Sequence, residues 1–171
     1  MKWILILLLT LSVVVLGCNP NESPGERTKE EQERLNSSEK KLGVWLTDWN
    51  EAMKMAQSLA RPVLVDFTGS DWCIWCQKLE EEVFSKDEFI EYAKGNFILL
   101  KVDFPREIEQ SDELKAFNQQ KLKEYKVEGF PTVVIINDRG EEFARTGYKP
   151  GGAEKYLKHL EELLYSPYPQ E

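Results

Sequence analysis

From about residue 44 the apolar positions of this chain recur with a period, and the period changes in a fixed order. Trp45, Trp49, Met53 (with Ala52), Ala56 and Leu59 fall at helical spacing, which predicts an amphipathic helix over roughly 48–60. Arg61-Pro62 ends it, because proline cannot continue a helical hydrogen-bond ladder. Val63-Leu64-Val65-Asp66-Phe67 then reads as a short buried strand, followed by the loop Thr68-Gly69-Ser70-Asp71. A helix is expected over about 73–83, with a further helical piece near 87–94. Phe97-Ile98-Leu99-Leu100-Lys101-Val102-Asp103 is apolar enough to be a central strand covered on both faces. A polar helix over 112–126 is carried by Leu114, Phe117, Leu122 and Tyr125. Thr132-Val133-Val134-Ile135-Ile136 is another strand, and Asn137-Asp138-Arg139-Gly140 turns it into a hairpin partner at 141–147. An amphipathic helix over 153–165 closes the pattern with Tyr156, Leu157, Leu160, Leu163 and Leu164. Strands joined by helices, then a hairpin and a last helix, predict an α/β domain with a central mixed β-sheet flanked by helices.

Upstream of residue 44 the pattern is different. Residues 19–43 are polar and rich in turn formers at their start, with Leu35 the one large aliphatic residue before Lys41. Such a segment cannot bury a core, so it reads as a flexible linker, disordered or at most a loose helix. Before it, Lys2 precedes an apolar run from Ile4 to Leu16. The run is about 13 residues, where a spanning helix needs roughly 20, so residues 1–18 read as a signal peptide. Val15-Leu16-Gly17-Cys18 resembles the lipobox of bacterial lipoproteins, in which the cysteine becomes the lipid-bearing first residue of the mature chain. The alternative is an uncleaved N-terminal anchor with an incidental cysteine. Under either reading the domain, 44–171, is exported and tethered to a membrane facing the periplasm or another extracytoplasmic space.

Composition adds two limits. With 42% hydrophobic and 11% aromatic residues the chain can build a core, and 171 residues suit one domain with appendages. The formal net charge is −8, all of it beyond residue 43, and an acidic domain repels phosphate backbones, so nucleic acid is not expected as a partner.

If Cys18 is acylated, two thiols remain, Cys73 and Cys76, in a compartment that permits disulfides. A bridge across so short a loop constrains the unfolded chain little, which makes a purely structural role a weak explanation. Trp72-Cys73-Ile74-Trp75-Cys76 follows a buried strand and opens a helix. Unfilled N–H groups at a helix start stabilise a thiolate, the attacking species in disulfide exchange. Cys73 is therefore expected to face solvent and attack a substrate disulfide, and Cys76, on the same helical face, to resolve the mixed disulfide. A zinc half-site shares this spacing but needs further ligands, and the single histidine, His159, lies among charged residues on the last helix. Haem attachment needs a histidine after the second cysteine, where Gln77 stands. No metal is expected.

Val65-Asp66-Phe67, Trp72-Cys73-Ile74-Trp75-Cys76, Lys101-Val102-Asp103 and Gly129-Phe130-Pro131-Thr132 together resemble the thioredoxin family in order and context, over roughly 44–165. The loop Thr68-Gly69-Ser70-Asp71-Trp72 looks closer to a subgroup of exported bacterial proteins. That subgroup includes the C-terminal domain of the membrane electron transporter that carries reducing equivalents to the periplasm. The resemblance implies a thioredoxin fold and assigns roles. Asp66 matches the buried acid that accepts the proton of the resolving thiol, and Lys101 its charged neighbour. Pro131 matches a cis-proline facing the disulfide, with Phe130 and Thr132 offering backbone to an extended substrate and Trp72 shaping the surface beside the sulfurs. The dipeptide Ile74-Trp75 departs from the family's Gly-Pro, and 104–126 is longer than the usual connection. Glu80-Glu81-Glu82 reads as a solvated helix face.

The expected function is thiol–disulfide exchange on exported protein disulfides by a tethered monomer. Its only redox group is the Cys73–Cys76 pair, since no nicotinamide or flavin site is visible, and a membrane electron donor keeps the pair reduced. Reductase is the preferred direction, because no cation between the cysteines stabilises the thiolate further. The alternatives are an isomerase or oxidase, or a redox-dependent chaperone or assembly factor that kept the fold; copper delivery is disfavoured, with no His or Met cluster near the cysteines.

Overall fold

The computed structural model describes residues 28–165. Residues 1–18, expected to be a signal peptide ending at Cys18, and the start of the expected linker lie outside them. Within them, five strands form one mixed sheet in the order β1-β3-β2-β4-β5: β1 (Trp45–Leu46), β2 (Val63–Thr68), β3 (Ile98–Asp103), β4 (Thr132–Ile136) and β5 (Glu142–Thr146). β1, β3 and β2 run parallel to one another, β4 pairs antiparallel with β2, and β5 pairs antiparallel with β4. The helices are α1 (Lys29–Glu39), α2 (Trp49–Leu59), α3 (Ile74–Leu79), α4 (Asp87–Asn96), α5 (Asp112–Glu124) and α6 (Gly152–Tyr165). No helix among these residues is long and apolar enough to cross a membrane.

Alternation along the strands sorts the core into two layers, because successive side chains leave opposite faces of a sheet. Val63, Val65 and Phe67 of β2 join Ile98, Leu100 and Val102 of β3 in one layer, which packs on α2 and α5. Leu64 and Leu99 face the other way and pack with Leu79, Phe84, Phe89 and Tyr156. Asp66 and Lys101 are next in phase on that second face, the one covered by α3, α4 and α6.

The element ends carry their own causes. Asp48 caps α2 by accepting the Glu51 N–H at 2.9 Å, and Ser111 caps α5 through the Leu114 N–H at 3.2 Å. The β4–β5 hairpin turns at Asn137, whose side-chain oxygen accepts the N–H groups of Arg139 and Glu141. Gly140 there takes a φ of +82°, which glycine adopts without steric cost.

Two local expectations are revised, and that of the linker is sharpened. Trp45 does not belong to the helical stripe but opens the edge strand β1, and the buried face of α2 is Trp49, Ala52, Met55 and Ala56, with Met53 half-buried. A two-residue strand is too short to show its own period. The described part of the linker is α1, capped by Thr28 and without a buried residue, and Leu42 beyond it packs on the core. The helix after Cys73 changes pitch: α3 ends at Leu79 and a π-helical turn, Glu80–Phe84, follows.

Candidate active site

The backbone that positions the cysteines leaves the end of β2 as a tight loop. Cys73 N–H and Trp72 N–H both donate to the Gly69 carbonyl, at 2.8 and 3.2 Å. The Trp72 indole lies directly on Gly69, where a Cβ would meet the ring at 2.5 Å, so only glycine fits. Ser70 ties the loop to the end of β3, donating through its N–H and hydroxyl to the Asp103 carboxylate at 3.0 and 2.6 Å.

Cys73 is the N-cap of α3, and its sulfur is bonded to that of Cys76 with the Cα atoms 5.2 Å apart. The Cys76 N–H donates to Cys73 Sγ at 3.2 Å. That contact favours a negatively charged sulfur on Cys73 once the bond is opened. Cys73 does not face solvent as its helix-start position suggests. It is 6% exposed, because its sulfur folds back over the first turn, while Ile74 and Trp75 stand out at 65% and 51%. The disulfide lies just under a surface made of its neighbours.

Asp66 is buried, and its Oδ1 has no hydrogen-bond partner. Burial pushes its pKa up to about 7; Lys101 opposes the rise, and Glu80 and Asp103 add to it. Asp66 and Lys101 are register partners across β2 and β3, and Lys101 Nζ reaches Glu80 at 3.0 Å. The run Glu80-Glu81-Glu82 is not a uniformly solvated face. Glu80 serves Lys101, Glu82 accepts the Tyr148 hydroxyl at 2.8 Å, and of the three Glu81 alone is exposed.

The Phe130–Pro131 peptide is cis, and Thr132 begins β4 opposite Phe67, where β2 runs out toward the cysteine loop. Phe130 meets Trp72 edge-on at 5.9 Å and stacks on Phe104 at 5.1 Å. Thus Trp72 and Phe130 meet in one surface, with Pro131 and Thr132 following directly in the chain. Trp75 on the other flank packs on Tyr148 at 5.2 Å.

Several residues at this site carry no mark in the sequence. Asp71 accepts the backbone N–H groups of Arg106, Glu107 and Ile108 at 2.7 to 3.2 Å. Burial works against its charge, but those donors outweigh it and hold the carboxyl below the usual carboxylate range. The Trp72 indole N–H donates to the Phe104 carbonyl at 2.8 Å. Segment 104–108, part of the long connection after β3, is thereby fastened to the cysteine loop. His159 is half-buried and bonds Thr146 Oγ1 at 2.9 Å rather than being solvated. Among the described residues no cluster of His, Cys, Asp and Glu is arranged to hold a metal ion.

The thioredoxin-like domain model matches residues 49–164. The chain belongs to the thioredoxin-like family. The disulfide bond reductase DsbH of Chlamydia pneumoniae is 36% identical over 114 residues, covering 67% of this chain and 69% of that protein. A solved DsbH oxidoreductase superposes with a TM-score of 0.68 at 34% identity, covering 71% of this chain and 84% of its own. The thiol:disulfide interchange protein DsbD of Yersinia pestis is 29% identical over 110 residues, which span 63% of this chain but 17% of that much longer protein. As a member of this family with a bonded Cys73–Cys76 pair at the helix start, the chain is a thiol–disulfide oxidoreductase.

Proposed function

We propose that this chain is a membrane-tethered reductase of disulfides in other exported proteins. The observation that carries the reading is the covered Cys73–Cys76 disulfide, with a buried acid, Asp66, on the same sheet face as α3, whose Oδ1 has no hydrogen-bond partner. The resemblance to a protein named a disulfide bond reductase supports the direction. The tether rests on the apolar run and the cysteine at its end, Cys18.

In this reading the reduced protein acts first through Cys73. Its thiolate attacks one sulfur of the substrate disulfide, and the other substrate sulfur leaves as a thiolate and takes up a proton. The Cys76 thiol then gives its proton to the Asp66 carboxylate and attacks Cys73 Sγ. The second substrate sulfur is released and protonated. Two electrons have passed to the substrate, whose two sulfurs take up one proton that came from Cys76 through Asp66 and one from solvent, and the protein holds the Cys73–Cys76 disulfide. A membrane dithiol donor returns the electrons, restoring the reduced pair. Asp66 suits its part because an acid with a pKa near 7 exchanges protons readily at neutral pH. Phe130, Pro131 and Thr132 would hold the substrate chain extended by backbone hydrogen bonds, with Trp72 packed against it.

Equilibration of the pair with a defined thiol buffer tests the direction. A reduction potential near that of thioredoxin, about −270 mV, is expected of a reductase. A value of about −120 to −180 mV would make the protein an oxidase or isomerase. Absence of reversible exchange would leave a binding protein that kept the fold.

A further inference from the structure

The tryptophans that flank the disulfide each carry a cation. The Arg106 guanidinium lies 3.9 Å from the centroid of Trp72, and Lys78 Nζ lies 4.9 Å from that of Trp75. Both basic side chains are exposed, and neither has a hydrogen-bonded or ion-paired partner among the described residues. Nearby acids are differently disposed. Asp71 is turned to the N–H groups of 106–108, Glu80 to Lys101, Glu82 to Tyr148 and Asp103 to Ser70. Glu107 follows Arg106 in the chain but does not pair with it. Glu81, three residues after Lys78, is exposed and pairs with neither cation. A protein with a net charge of −8 thus shows two cations held on the tryptophans beside its reactive sulfurs and outside any ion pair among the described residues.

Their placement is not incidental to the fold. Arg106 is held by its own backbone N–H to Asp71, and the ring beneath it is held by the Phe104 carbonyl. A guanidinium held over an indole by this contact keeps donors available and loses less freedom when it binds a carboxylate in bidentate fashion.

We propose that Arg106 and Lys78 read carboxylates, selecting substrate segments that carry Asp or Glu beside the target cysteine. This rests on the reductase reading and names its substrate class. An acidic segment approaching a Cys73 thiolate meets like charge, and the two flanking cations offset it. Exposed rim charges act mainly on association, so the preference must weaken as salt screens them.

The test uses the reduced full chain and two synthetic peptides, each closed by one internal disulfide. They differ only in having Glu or Gln on both sides of a cysteine. At low ionic strength the Glu peptide should be reduced about tenfold faster, and the ratio should fall toward one at about 0.5 M salt. Replacing both cations, Arg106→Gln with Lys78→Gln, should bring the low-salt ratio to about one, and Arg106→Lys alone should keep part of it. Equal rates in the unaltered chain, or a preference that survives the double replacement, would overturn the proposal and leave the reductase reading standing. If neither peptide is reduced, both fall together.

Discussion

Asp66 and Lys101 stand opposite each other across β2 and β3, yet no hydrogen bond joins them; the lysine turns instead to Glu80. The carboxyl is thereby left in a buried setting with a cation close enough to moderate its pKa but not to make it an ordinary salt bridge. In the oxidised protein the Asp66 carboxyl should titrate near 7, readable from its side-chain carbon resonance as pH is varied.

The same shift has a consequence for stability. An acid whose folded pKa is raised from 3.8 to about 7 keeps its proton in the folded state while the unfolded chain loses it. Stability contributed by this group is therefore full below about pH 4, falls as pH rises through about 7, and is then level. Three pKa units correspond to roughly 4 kcal/mol as an upper figure. Asp66→Asn should be the more stable protein at pH 8 by a few kcal/mol at most, and the advantage should vanish by about pH 4 in denaturant titrations. Its resolving step should also lose the rise in rate across neutrality.

Glu80 and Lys101 act on Asp66 with opposite signs. Glu80→Gln removes a negative neighbour and frees Lys101, so both effects lower the Asp66 pKa. Lys101→Met removes the one opposing cation and raises it. The pH midpoint of mixed-disulfide resolution should move down in the first variant and up in the second; shifts of the same sign would refute this account of the site.

The cysteines should separate by role. Cys73→Ser is expected to cost at least about 1,000-fold in disulfide reduction. Cys76→Ser should instead accumulate a protein–substrate mixed disulfide, visible as a mass increment in non-reducing conditions. Equal trapping by both variants would show that either sulfur can attack.

Gly69 is the point where the cysteine loop and the Trp72 ring touch. Gly69→Ala should displace the indole, since that ring is pinned by the Phe104 carbonyl and by Arg106. A destabilisation of about 1–3 kcal/mol is expected. Amide hydrogen exchange at 106–108 should quicken as Asp71 loses its alignment, an effect that Asp71→Asn should reproduce in part.

How much of this was legible beforehand follows from the range of each interaction. The sequence by itself determined the order of elements from β2 onward, the sheet-and-helix class, and the cysteine pair at a helix start with Asp66 in the strand before it. Those features rest on periodicity and on neighbours within a few residues, which a linear reading captures. It could not place Trp45 in an edge strand, because two residues show no period. Nor could it foresee that Asp71 reaches 106–108, that Glu80 serves Lys101, that Glu82 serves Tyr148, or that each tryptophan beside the disulfide carries a cation. Asp71 and Arg106, Glu80 and Lys101, and Glu82 and Tyr148 are far apart in the chain and meet because the parallel crossover and the hairpin deliver the end of β3, the segment after it and the end of β5 to one end of the sheet. The chemistry of the sulfurs was local and readable. The electrostatic setting around them is a property of the folded surface, where charges many residues apart act within a few ångströms of each other.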